Sequence, residues 1–213
     1  MRSPGNSTGQ RVPLRERGFE SHTQRDGMKG TLDLKQEHGK IKLMLRILEK
    51  MCKKLDSGEA VEPEHLDMAV EFIQGFADKC HHGKEEDVLF PIMKEAKIKG
   101  AEDLIRVLII EHEMGREYVR AIAEAVNGYK SSDIEAPAKI SQNAMKYVRL
   151  LDPHIDNENG TLFPMADRSL SDVQQAEMTE GFERIETDVM GVGRHGELQK
   201  MLDDLADRYM SGQ

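Results

Sequence analysis

The sequence HHGKEEDVLFP at residues 81–91 sets the plan of this chain, because a second version of it, HIDNENGTLFP, follows at residues 154–164. Both copies begin with the pattern H-x-x-x-E, and both end with L-F-P. Residues four apart on a helix lie one above the other on the same face, so each copy predicts an imidazole beside a carboxylate. One such pair is half of a metal site, and the sequence contains two.

The repeat extends upstream of both copies. His38, in the pair Glu37-His38, lies 43 residues before His81. His112, in the pair Glu111-His112, lies 42 residues before His154. Two helical hairpins of similar length explain this spacing, because each contributes one histidine from its first helix and one H-x-x-x-E motif from its second. The sequence therefore predicts a pseudo-symmetric bundle.

The composition favours a helical protein of a reducing compartment. Only 5% of the 213 residues are aromatic, there is no tryptophan, and the net charge is −9. This acidity argues against a nucleic-acid partner, which needs a basic face. No apolar run approaches the roughly 20 residues that span a bilayer, and the first residues lack the apolar stretch of a secretory signal. We expect a cytoplasmic protein without a membrane partner, in which Cys52 and Cys80 stay reduced.

Four segments carry apolar residues at the spacing of bundle helices, and each apolar stripe contains a histidine. The first helix is predicted to begin near Leu32 and the second at Pro63, whose missing N–H does no harm in a first turn. Asn127-Gly128 marks the end of the third helix. Pro153 is expected to kink or divide the fourth. The inward histidines are His38, His81, His112 and His154.

The predicted fold is all-α, a four-helix bundle with a C-terminal helical extension. Residues 1–30 have no helical or strand period and are predicted to form a disordered tail. Residues 31–168 form the bundle, and residues 169–213 form two further helices with a glycine joint. His22 lies in the tail and His195 lies beside the joint, so neither is a predicted ligand.

The adjacent His82 has two interpretations. On an α-helix it lies about 100° around from His81, on a mostly polar line with Asp78 and Glu86. The repeat also pairs His81, rather than His82, with His154. We therefore expect His81 to be the primary ligand, and His82 to be either an additional ligand or a residue at the rim.

Four inward histidines and two inward carboxylates together predict a metal centre. Ionised carboxylates are costly to bury without partners, and this number of ligands suits two ions better than one. Structural zinc sites are often rich in cysteine, whereas mixed histidine and carboxylate ligands favour iron or manganese, with zinc also possible. The predicted ligands are His38, His81, Glu85, His112, His154 and Glu158, with His82 as the additional candidate.

This pattern resembles that of the hemerythrin-like, HHE cation-binding family, whose plan is H, H-x-x-x-E, H, H-x-x-x-E on an up-down-up-down bundle. Ferritin-like di-iron bundles use Glu-x-x-His instead. The matching positions are His38, then His81 with Glu85, then His112, then His154 with Glu158. The similarity covers roughly residues 32–168. It implies two iron ions, joined by an oxo group or by the bridging carboxylates of Glu85 and Glu158.

Two positions differ from the oxygen-carrying hemerythrins. Those proteins place a second histidine four residues after the third-helix ligand, where this chain has Arg116. They also end their last motif as H-x-x-x-x-D, where this chain has Asn159. The missing imidazole is one that His82 would restore if it were a ligand.

The resemblance implies that the reduced iron pair binds dioxygen, peroxide or nitric oxide for storage, sensing or protection. Two alternatives stay open. One is an oxidoreductase that turns over peroxide or nitric oxide with electrons from an unknown donor, and the other is an interaction module in which metal only stabilises the fold. Glu37, Glu86 and Glu111 adjoin ligands, so they either orient imidazoles or face solvent.

Overall fold

The computed structural model describes residues 29–211, and that part of the chain contains six helices and no strand. The helices are α1 (Lys29–Asp56), α2 (63–95), α3 (Ala101–Lys130), α4 (136–169), α5 (172–189) and α6 (Arg194–Met210). Helices α1 to α4 form the bundle, in which each packs against the next and α4 returns to α1. The predicted all-α bundle with its C-terminal helical pair is confirmed. Of the predicted tail, residues 1–28 lie outside the described part, and α1 begins at Lys29, slightly before the expected start of the bundle.

Helices α2 and α4 are not α-helical throughout. Each contains π-helical turns, in which a backbone N–H bonds to the carbonyl five residues back. In α2 these turns are Ile73–His82 and Glu85–Leu89, and in α4 the turn is Glu158–Leu162. The wide turns therefore coincide with both H-x-x-x-E motifs.

The L-F-P sequences explain why a π turn follows each motif. Phe90 donates its N–H to the Glu85 carbonyl, and Phe163 donates to the Glu158 carbonyl, five residues back in both cases. The proline that follows has no N–H and its ring would crowd the carbonyl four residues back. Widening the preceding turn relieves that crowding, so the sequence repeat becomes a structural repeat.

The fourth helix was expected to be kinked or divided at Pro153, and it is not divided. Ala136–Asn157 is one α-helix that runs through this proline. Because Pro153 has no N–H, the Arg149 carbonyl loses its normal hydrogen-bond donor. Both residues lie on the exposed side of the helix. Water can reach that carbonyl, so the helix continues despite the missing hydrogen bond.

The apolar core has two parts, with a polar layer between them. On α1, Leu34 belongs to one apolar cluster and Ile41 to the other, and His38 lies between them. The same order holds on α3, where Leu108 and Val119 flank His112. The predicted metal ligands thus occupy a layer that is closed by apolar packing above and below.

The C-terminal helices pack on the bundle rather than extending away from it. Helix α6 contacts α1 and α2, and it buries Leu198, Leu202 and Leu205. Helix α5 approaches α2 most closely at Gly181, where an added Cβ would lie 2.5 Å from Val88 Cγ1. Val88 is β-branched and cannot easily turn aside.

We expect Gly181→Ala to lower the free energy of unfolding by about 1–3 kcal/mol, because the added methyl overpacks this contact. Urea unfolding of the full chain measures the change. Gly196→Ala on α6 is the matched control, since an added Cβ there meets nothing within 4 Å and alanine favours a helix. Equal stabilities of the two variants would contradict the close packing of α5 on α2.

Two further sequence predictions concern the whole chain. Cys52 and Cys80 are both buried and unbonded to one another, which agrees with the expected reduced thiols. None of the described helices is both long enough and apolar enough to cross a membrane.

Candidate metal centre

The four predicted inward histidines meet in the polar layer as two pairs. His38 Nε2 lies 2.8 Å from His81 Nε2, and His112 Nε2 lies 3.0 Å from His154 Nε2. All four side chains are at most 2% exposed. Helices α1 and α2 therefore supply one pair, and helices α3 and α4 supply the other.

His82 also faces the interior, so the rim interpretation is wrong. It is 3% exposed, and its ring stacks on that of His112 with the centroids 3.8 Å apart. His81 and His82 point inward together because they end the π-helical stretch Ile73–His82. A π turn contains more residues than an α turn, so the 100° separation assumed from the sequence does not apply here.

Each of the five inward histidines is held at Nδ1 by an oxygen atom of a neighbouring side chain. Carboxylate and amide oxygens accept hydrogen bonds, so Nδ1 carries the proton and Nε2 keeps its lone pair in the neutral ring. The pairs are His38–Asn159 (2.9 Å), His81–Glu37 (2.8 Å), His82–Asp78 (3.4 Å), His112–Glu86 (2.6 Å) and His154–Glu111 (2.7 Å). Two lone pairs facing one another at 2.8 or 3.0 Å require a cation or a proton between them. The five Nε2 atoms are thus prepared as ligands.

These contacts decide between the two interpretations of Glu37, Glu86 and Glu111. All three orient imidazoles, although none holds the histidine beside it in the sequence: each reaches a histidine on another helix. Asp78 and Asn159 also orient imidazoles and were missed: Asn159 reaches His38 on another helix, whereas Asp78 holds His82 on its own helix. Their only sequence signal was position, since Asn159 follows Glu158 and Asp78 lies one turn before His82.

The two inward glutamates each face both histidine groups. Glu85 Oε1 lies 3.7 Å from His81 Nε2, while its Oε2 lies 3.5 Å from His112 Nε2. Glu158 Oε2 lies 3.1 Å from His38 Nε2, and its Oε1 lies 3.0 Å from His154 Nε2. Each carboxylate therefore offers one oxygen to each side, which is the arrangement of a bridging ligand.

All four of these carboxylate oxygens are buried without a hydrogen-bond partner among the described residues. The imidazole nitrogens at 3.0 and 3.1 Å have no hydrogen to donate when the ring protons are on Nδ1. Buried polar atoms in native proteins are nearly always paired. A cation between the two histidine groups would satisfy these oxygens, and the set of nitrogen and oxygen donors fits iron, manganese or zinc.

The donor atoms divide into two sets. His38, His81, Glu85 and Glu158 form one, and His82, His112 and His154 form the other. Within each set the donor atoms lie within 4.8 Å of one another. Since the carboxylates reach both sets, one ion would have two imidazoles and the other three.

Burial and mutual contacts shift the ionisation of these groups. Burial raises the pKa of Glu85, and the charge of Glu158 raises it further. Burial acts in the same direction on Glu158, but its contacts with His112, His154 and His38 outweigh burial and lower its pKa. Behind the site, burial also acts upward on Glu37, yet His81 and Lys84 bring its pKa down to about 2. Glu37 is therefore a permanent acceptor for His81.

We expect metal-free protein to lose stability on acidification through His81. Burial, followed by the charge of His38, lowers the pKa of His81 from 6.5 to about 4. The unfolded chain then binds the proton more readily, so stability present above about pH 6.5 is lost as the pH falls towards 4. The shift corresponds to about 3 kcal/mol, measurable by urea unfolding between pH 7 and pH 4.5.

His81→Gln is the control for this pH effect. The variant has no imidazole to protonate, so its free energy of unfolding should fall less over the same pH range. An identical pH slope in the variant and in the wild type would show that His81 does not carry the effect.

The other two histidines of the described residues, His65 and His195, lie outside the centre. His65 bonds through Nδ1 to the Tyr209 hydroxyl at 2.9 Å, and His195 packs beside the Phe76 ring. His22 lies outside the described residues. Neither His65 nor His195 belongs to the two groups of donor atoms described above.

Asn159 and Arg116, the two residues that differ from the oxygen-carrying hemerythrins, both support predicted ligands. Asn159 holds the His38 ring through Nδ1. Arg116 donates through Nε to Asp78 at 2.7 Å and through Nη2 to Glu86 at 2.8 Å. These carboxylates hold His82 and His112, so Arg116 steadies two ligands instead of providing one.

Comparison with known proteins identifies a matching family. The family model for the hemerythrin HHE cation binding domain matches residues 30–166. Uncharacterised proteins of Mycobacterium bovis and Mycobacterium tuberculosis are 28% identical over 177 residues, which is 82% of this chain and 67% of theirs. No solved structure shows a significant match.

Proposed function

The chain belongs to the hemerythrin HHE cation-binding family, and from this premise we propose that it is a non-haem di-iron protein that binds dioxygen or a related small oxidant. Family membership supports cation binding. We propose further that the metal is iron, that two ions are bound, and that their ligand is the small oxidant.

The observation that carries the proposal is the pair of bridging carboxylates. Glu85 and Glu158 are fully buried, and each divides its two oxygens between the two imidazole groups. One ion could not use all four oxygens and five imidazoles. Two ions that share both carboxylates would satisfy every one of these donors.

The unequal number of imidazoles supports binding of a small molecule at one side. The group of His82, His112 and His154 offers three nitrogens, whereas His38 and His81 offer two. The two-histidine side therefore has the more open coordination. When bound there, a reduced iron pair supplies an open position and two electrons to a small oxidant.

The protein would determine which molecules enter. The Phe163 ring stacks on the His38 ring with centroids 5.2 Å apart, and Leu34 packs on the same side of the layer. Apolar side chains in these positions would keep water away from this side of the layer. The carboxylates behind the imidazoles hold each ring in place throughout.

The test begins with metal analysis of untagged protein from iron-supplemented cells. About two irons per chain are expected, and anaerobically reduced protein should then change its absorption spectrum with dioxygen, peroxide or nitric oxide in a stoichiometric titration. Protein that holds no iron, or iron that gives no spectral change with any of the three, would overturn the proposal.

The same samples distinguish the alternative functions. Continuous loss of peroxide or nitric oxide in the presence of a reductant would indicate an oxidoreductase rather than a binding protein. A bundle that unfolds on metal removal but responds to no oxidant would indicate an interaction module stabilised by metal.

A further inference from the structure

A cavity of about 310 Å³ lies between α2, α3 and α4 and reaches the metal layer at His82. Its inner wall is apolar and includes Ile73, Val119 and the Tyr147 ring. Exposed side chains, among them Lys79 and Arg120, line its opening. The volume is at the lower end of the range for small-molecule sites.

The Tyr147 hydroxyl indicates that a ligand belongs there. Tyr147 is 2% exposed, yet its hydroxyl makes no hydrogen bond to any other residue in the described part of the chain. Burial and the nearby Asp78 charge raise its pKa, so the hydroxyl stays protonated as a donor. The hydroxyl oxygen is not among the fully buried unpaired atoms of the described residues, so it opens on the cavity, where a ligand oxygen can accept its hydrogen bond.

The charges at the opening indicate the class of ligand. Arg116 is already paired with Asp78, Glu86 and Glu113. Lys79 and Arg120 form no ion pair with any described residue, in a chain whose net charge is −9. We propose that this cavity binds a small organic anion, with its carboxylate at Lys79 and Arg120, its apolar body on Ile73 and Val119, and an oxygen accepting from Tyr147.

The test uses 4-hydroxybenzoate as the probe and neutral 4-hydroxybenzamide as its control, with binding followed by saturation-transfer NMR and titration. The acid should bind and the amide should bind much more weakly. Reversing both opening charges with Lys79→Glu and Arg120→Glu should abolish binding. Lys53→Glu with Arg149→Glu, an equal charge change away from the cavity, should leave binding intact.

Tyr147→Phe separates a ligand contact from a packing role. The variant should bind the probe about tenfold more weakly, the value of one hydrogen bond, while its melting temperature stays the same or rises because an unpaired hydroxyl is gone. Absence of probe binding, equal binding of acid and amide, or unchanged binding by Tyr147→Phe would overturn the proposal.

A separate observation links the C-terminal extension to a ligand of the metal centre. Lys84 is 1% exposed, and its Nζ lies 2.5 Å from Glu37 Oε1 and 2.5 Å from Glu186 Oε1. Glu37 holds the ligand His81 through its other oxygen. Glu186 belongs to α5 and its side chain is partly exposed, whereas Lys84 and Glu37 are buried, so a chain of charges runs inward from α5 through Lys84 and Glu37 to His81.

Each member of this chain changes the charge that the next one presents. A carboxylate that accepts from Nδ1–H makes the imidazole a stronger metal ligand. The Lys84 ammonium reduces the negative charge that Glu37 presents to His81. The Glu186 carboxylate in turn reduces the positive charge that Lys84 presents to Glu37. We infer that the extension tunes the reduction potential of the metal pair through Lys84, an inference that rests on the di-iron function proposed above.

The test compares the midpoint potentials of iron-loaded variants. Lys84→Met leaves the Glu37 charge uncompensated, strengthens His81 as a ligand, and should shift the potential down. Glu186→Gln leaves Glu37 as the only carboxylate paired with Lys84. Lys84 then reduces the negative charge of Glu37 more strongly, and the midpoint potential should rise. A merely structural role would not give opposite signs.

Glu71→Gln is the matched control, because it removes another ion pair between the extension and the bundle, with Arg194, that leads to no ligand. Its potential should equal that of the wild type. Wild-type protein that takes up no iron would overturn the di-iron function and this inference together. Iron-loaded variants with equal potentials, or with shifts of the same sign, would overturn the inference alone.

Discussion

The Glu158→Ala variant is expected to lose both metal ions, whereas His38→Ala should lose only one. Glu158 presents Oε2 to the two-histidine group and Oε1 to the three-histidine group, so its removal takes a ligand from each. His38 contacts only the first group, and the set of His82, His112 and His154 stays intact without it. Elemental analysis should fall from about two ions per chain to near zero for Glu158→Ala, and to about one for His38→Ala.

His65→Ala is the control for these variants. His65 is a histidine of the same bundle that bonds to Tyr209 outside the metal layer, so its loss should leave the metal content at the wild-type value. A Glu158→Ala protein that still bound one ion firmly would show that this carboxylate is a terminal ligand and not a bridge.

Removal of the metal from the wild-type protein is expected to lower its melting temperature by more than about 10 °C. Four buried carboxylate oxygens then have no partner, at a cost of about 1–3 kcal/mol each. Their sum is several kcal/mol, and each kcal/mol lowers the melting temperature by roughly 2–4 °C in a chain of this size. Calorimetry before and after reduction and chelation measures the difference.

The Glu158→Ala protein provides the control for this second experiment. It should bind no metal, so the chelator should not change its melting temperature. If the wild type released its metal completely and melted at the same temperature, the carboxylate oxygens would have found partners in the protein, and the cation would not be needed to satisfy them.

The helices and most of the ligands were predictable because both depend on periodicity. An apolar stripe at helical spacing predicts which face is buried, and a polar residue within such a stripe must be buried too. This argument correctly placed His38, His112 and Glu158 in the interior. It needs no knowledge of the neighbouring helices.

Predictions that assumed a regular α-helix were less reliable. His82 was placed on a mostly polar line because each residue was given a rotation of 100°. The π-helical stretch Ile73–His82 changes that rotation and turns both adjacent histidines inward. The helix is also not divided at Pro153, because the exposed side of a helix tolerates a lost hydrogen bond.

Spacing along one chain was enough to predict the four helices, the doubled H-x-x-x-E plan and the kind of metal ligands. Spacing could not predict that Glu37 holds His81 rather than its neighbour His38, or that Lys84 joins Glu37 to Glu186. Such pairings depend on which helices are adjacent and on the rotation of each about its own axis. Packing of the whole core sets both of these, and no local pattern records them.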